Sequence, residues 1–203
     1  GSGLASACGD TLADVGALST AATQCSAVGT FAIAFGTTGP KAGNYDVSFG
    51  GANLTVTTRP MSVTADPQSR TYGDANPALT AQLGGSGLAS VCGDTLADVG
   101  VLSTAATQCS AVGSYPIAFS ASGPKAGNYG VSFAGANLTV AGRPITVTAD
   151  SQSRLYGEPT SAPPAQVGGS GLASACGDTL ADVGALSTAA AQCSAVGSYV
   201  IGF

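Results

Sequence analysis

The sequence predicts a mostly β protein built of tandem small modules, each a β-grasp-like mixed sheet with one short helix, about 84 residues per repeat. Three observations carry this. GSGLAS recurs at Gly1, Gly85 and Gly169, 84 positions apart without insertion or deletion, and a repeat of that kind governs how everything else is read. Apolar residues alternate along most of the repeat, which is the strand period. One segment alone, GDTLADVG, breaks the alternation and reads as helix.

The Arg-Pro pairs Arg59-Pro60 and Arg143-Pro144 mark the module joint, because Pro restricts the backbone ahead of a new strand. From that joint, residues 60–143 form a complete module. Residues 1–59 are the C-terminal part of a preceding one, and 144–203 the N-terminal part of a following one, so the chain reads as a window on a longer polypeptide. In the complete module Met61, Val63 and Ala65 alternate with polar neighbours, as do Leu79, Ala81 and Leu83. The expected helix follows, with Asp94 capping its free amides, Leu96 and Val99 on one face and Gly100 ending it. Three further strands carry Tyr115, Ile117 and Phe119, then Tyr129, Val131 and Phe133, then Leu138 and Val140. Tyr72-Gly73-Asp74, Gly123-Pro124 and Gly127-Asn128 supply the turns. In the last module, Pro163-Pro164 is expected to weaken or shorten the corresponding strand.

Six cysteines stand as Cys8 and Cys25, Cys92 and Cys109, Cys176 and Cys193, each pair 17 positions apart inside one repeat. A zinc site needs four close ligands, and the chain has no His; a C-x-x-C redox pair is also absent. The expectation is one disulfide per repeat, fastening the lead-in of the helix at Cys92 to the end of the LSTAATQ strand at Cys109. Closing such a loop contributes on the order of 3 kcal/mol in the chain-entropy model, a useful reinforcement for a small Ala-rich core. It also implies an oxidising, extracytoplasmic compartment.

Composition narrows the function classes. Charged residues make up 8% of the chain and the net charge is -5, with no basic block, which argues against nucleic acid as a partner. There is no apolar run long enough for a membrane helix. Without His, no nucleophile and base pair can be assembled, so no catalytic residue, cofactor or enzyme activity is expected.

Read together, VTADPQSRTYGDANPAL at 63–79, GDTL at 93–96, SAVGSY at 110–115, GNY at 127–129 and ANLTV at 136–140 resemble the MBG repeat domain of the YGX type. That family occurs in tandem arrays in large bacterial surface and secreted proteins, including filamentous-haemagglutinin-like adhesins. The resemblance implies an extracellular stalk or adhesive array without catalysis. The cysteine pairs lie outside the motif that carries the resemblance.

Other side chains are read two ways. The pairs Asp10/Asp14, Asp94/Asp98 and Asp178/Asp182 suit either a calcium site or, as favoured here, a helix cap with a dipole-complementing acid. Lys41 and Lys125 read as exposed turn residues, with an isopeptide to Asn44, Asn128 or a nearby Asp as the alternative. Tyr72 and Tyr156 read as anchors of the YG turns, and Asn53 and Asn137 as chance glycosylation matches within strands. The complete module carries three cations against four anions, so little charge opposes lateral pairing. The expected partners are therefore neighbouring repeats or copies of the chain itself. A self-assembling extracellular filament stands beside the array as the second reading.

Overall fold

The computed structural model describes residues 3–203. Its elements in chain order are α1 (Leu12–Val15), β1 (Ala17–Thr20), β2 (Gly29–Gly36), β3 (Ala52–Val56), β4 (Arg59–Ala65), β5 (Gln68–Thr71), β6 (Ala81–Gly85), α2 (Leu96–Val99), β7 (Val101–Thr104), β8 (Gly113–Ser120), β9 (Tyr129–Ala134), β10 (Ala136–Ala141), β11 (Ile145–Ala149), β12 (Ala165–Gly169), α3 (Leu180–Val183), β13 (Ser187–Thr188) and β14 (Ile201–Gly202). The chain is mostly β, and the three α-helices among the described residues are single turns.

These elements fall into two compact units that interleave along the sequence. The first takes the chain up to Thr64, then Gln82–Val101 and Phe119–Ala134. Here β1, β2 and β3 form an antiparallel sheet in that order. A second sheet, ordered β6-β4-β9, has β4 and β9 parallel. Met61 and Val63 of β4 are buried where the alternation placed them, as are Val15, Val99 and Tyr129.

The second unit comprises Ala65–Ala81, Leu102–Ala118 and Gly135–Phe203. Strand β10 lies between β5, to which it is parallel, and β8, to which it is antiparallel. Leu138 and Ile117 pack with Ala65 and Ala106, and Leu79, Leu102 and Tyr115 close around them. The hairpin-like pairs β11–β12 and β13–β14 complete this unit.

Two local expectations are corrected. Pro163-Pro164 does not shorten its strand: β12 has five residues, as β6 has. Pro164 accepts a bond from the Asp150 amide at 3.0 Å, the role Thr80 plays for Asp66, and that role uses only a carbonyl, which Pro retains. Gly100 does end α2, but at φ 177 it is extended rather than left-handed. The need for Gly is steric, since a Cβ there would meet the Ser120 carbonyl and lie 2.6 Å from the Phe119 ring, which stacks on Phe133.

Candidate functional site at the joint between repeats

The cysteines pair differently from the expectation. Cys25 bonds Cys92 and Cys109 bonds Cys176, each across 67 positions and each joining one sequence repeat to the next. The expected pairs Cys8–Cys25, Cys92–Cys109 and Cys176–Cys193 are not formed, and Cys8 and Cys193 are exposed thiols. The physical reason is local. Strand β7 ends at Thr104, so Cys109 lies in the following turn rather than at a strand end. An extended four-residue strand advances the chain by about 13 Å, whereas a disulfide needs its Cα atoms within roughly 7 Å. Across the repeats the Cα separations are 5.6 and 5.4 Å.

Polar contacts gather around each bond. In the first unit, Arg59 Nε donates to the Gly87 carbonyl at 2.9 Å and Nη2 to Ser86 at 2.5 Å, while the Val28 amide donates to Asn128 Oδ1 at 3.0 Å. In the second, Arg143 repeats the same pair of bonds on Gly171 and Ser170 at 2.8 and 2.7 Å, and adds Asp74 at 3.0 Å. The YG turn is part of this joint. Tyr72 donates its phenol to Asp178 at 3.1 Å, and Gln108 Nε2 donates to the Gly73 carbonyl at 2.8 Å. Gly73 has φ +84, and a Cβ on it would sit 2.5 Å from the Ala173 methyl, so glycine is required twice over. Burial, and secondly the Asp178 carboxylate, push the Tyr72 phenol above its ordinary range. Tyr156, its counterpart, is 69% exposed; the anchoring role expected of both tyrosines is seen at Tyr72.

The aspartates divide their work in a way the sequence reading did not foresee. Thr95, not Asp94, precedes α2, and Asp98 closes its first turn by accepting from the Thr95 amide and hydroxyl, both at 2.8 Å. Thr11 with Asp14 and Thr179 with Asp182 do the same. Asp94 instead accepts from Lys125 Nζ at 2.5 Å and from the Tyr129 hydroxyl at 2.5 Å, and that hydroxyl accepts from the Ala89 amide at 3.0 Å. Asp10, Lys41 and Tyr45 form the same cluster.

The lysines are thus ion-paired and only part-exposed, at 37 and 39%, while the carboxylates are 6 and 5% exposed. The bond from Lys125, then that from Tyr129, holds Asp94 below the usual carboxylate range, and the same bond raises Lys125. Both partners are therefore charged at neutral pH. With one Asp94 carboxylate oxygen taken by Lys125 and the other by Tyr129, the cluster is an electrostatic clasp. Asn44 and Asn128 meet the lysines through the backbone, their amides donating to the Lys41 and Lys125 carbonyls at 3.0 Å.

Among the described residues, no group of three or more His, Cys, Asp or Glu side chains could hold a metal ion. A groove of about 720 Å³ lies in the second unit, and its lining includes Ala149, Ala190, Tyr199 and Ile201. These are the counterparts of Ala65, Ala106, Tyr115 and Ile117, which in the preceding repeat close around Leu138. The groove thus corresponds to a strand position of the repeat.

A family model described as the MBG domain (YGX type) matches residues 2–55, 61–139 and 145–203. The chain belongs to this family. Its three MBG repeats account for the mostly β architecture and for the recurrence of the YG turn, which at Tyr72-Gly73 docks on the following repeat. No curated protein and no solved structure matches the chain. The MBG family and the two disulfides are consistent with an extracellular protein, and among the described residues no helix is long and apolar enough to cross a membrane.

Proposed function

We propose that the chain is a structural and adhesive repeat array of a bacterial extracellular surface protein, a stalk or adhesin, without catalytic activity. The observation that carries this reading is the recurring joint. MBG repeats are stapled to one another by disulfides and by Arg59 or Arg143, which suits a protein that spans distance outside the cell. Residues 60–143 are proposed as its repeating module, and neighbouring repeats as its immediate partners. Immunogold labelling of intact producing cells, with negative-stain microscopy of released material, tests it. Surface label and isolated strings are expected, and purely cytoplasmic label would overturn the reading.

The filament alternative rests on charge: residues 60–143 carry three cations against four anions, so little repulsion opposes lateral pairing of copies. Uniform ordered fibres in the same micrographs would favour this alternative over the simple stalk.

A further inference from the structure

The disulfide pairing has a mechanical meaning that holds for either arrangement of the array. Each bond closes a loop across 67 of the 84 positions in a repeat. The complete repeat is entered at Cys92, bonded to Cys25, and left at Cys109, bonded to Cys176. Only the short segment from Cys92 to Cys109 joins those two bonds through peptide. Cys8 and Cys193 stand at the entry and exit positions of the neighbouring repeats.

We propose that the disulfides form a covalent thread that carries tension along the array and bypasses most of each repeat. When the chain is pulled from its ends, the path runs from Cys25 to Cys92 through sulfur, along the peptide to Cys109, and to Cys176 through sulfur. Residues 26–91 and 110–175 lie within closed loops and cannot add to the extension. The strands β2 to β6 and β8 to β12 are thereby taken out of the line of force.

The peptide section of the thread is the one the repeat reinforces. CGDTLADVGVLSTAATQC at 92–109 differs from its copies at 8–25 and 176–193 at two positions only, 101 and 107 in the complete repeat. Its Asp94 is clasped by Lys125 and Tyr129, its Asp98 and Thr95 close the turn of α2, and its strand β7 pairs with β8. These contacts fix the section of backbone on which tension would fall.

Single-molecule pulling of the full chain, attached through its two ends by thiol-independent handles, tests the thread. At about 3.5 Å per extended residue, the reduced chain reaches roughly 700 Å and the oxidised chain roughly 240 Å. Pairing within repeats would hide far less and leave an oxidised chain of roughly 540 Å. An oxidised length beyond about 400 Å would therefore overturn the proposal. The C25S/C92S and C109S/C176S variants should each lengthen the oxidised chain by about 230 Å, a readout of contour length that does not depend on how well either variant folds. No lengthening in either variant would also overturn it.

Discussion

Gly73 shows how a single position binds backbone conformation to assembly. Gly73→Ala introduces strain at φ +84 and a methyl 2.5 Å from that of Ala173, so a loss of more than about 1 kcal/mol is expected in urea unfolding. Gly157→Ala provides the control. Its φ is +89 but nothing lies within 4 Å of the added Cβ, so it should cost less; equal losses would show that the Ala173 contact does not matter. Asp94 is the second such position. Its folded pKa is lowered, so the contribution of the clasp is complete above the unfolded value near 3.9 and is lost as pH falls through the lower folded value. Lys125 is raised, so its contribution is complete below the unfolded value near 10.4 and is lost as pH rises through the raised folded value. Lys125→Met should therefore move the midpoint of acid unfolding, followed by circular dichroism, to higher pH. An unchanged midpoint would show that solvent screening leaves the pair without weight.

At the level of single elements, α2 is four residues long and cannot persist on propensity alone. Thr95→Ala removes the hydroxyl that donates to Asp98 and should cost about 1 kcal/mol in chemical denaturation. Strand β10 is the keystone of its sheet, since Leu138 is fully buried with Ile117, Ala65 and Ala106. Leu138→Ala should cost about 2–5 kcal/mol, because a core lined by alanines has little with which to fill the space. The alternation at Met61, Val63 and Ala65 made β4 legible from the sequence, because period two is a local property of the chain. The short helix was legible too, but its cap was misplaced by one residue. Asp and Thr are both good caps, and Asp94 is withdrawn from that role by Lys125 and Tyr129, which lie 31 and 35 positions away.

For the whole molecule, the joint decides behaviour. Non-reducing peptide mapping of material kept from reductant should recover the Cys25–Cys92 and Cys109–Cys176 peptides, and recovery of Cys92 joined to Cys109 would contradict the structure. The sequence by itself determined the 84-residue period, the mostly β character and its membership of the MBG family, because each is written in local pattern and order. Only the tertiary structure decided which cysteines meet. In a tandem repeat, partners 17 apart and partners 67 apart recur with equal regularity, and loop-closure entropy separates them by only about 1.2 kcal/mol. So small a difference is overridden by where the backbone places the sulfurs: β7 and the turn after it carry Cys109 away from Cys92, which lies in the first compact unit while Cys109 lies in the second, each beside the cysteine of a neighbouring repeat.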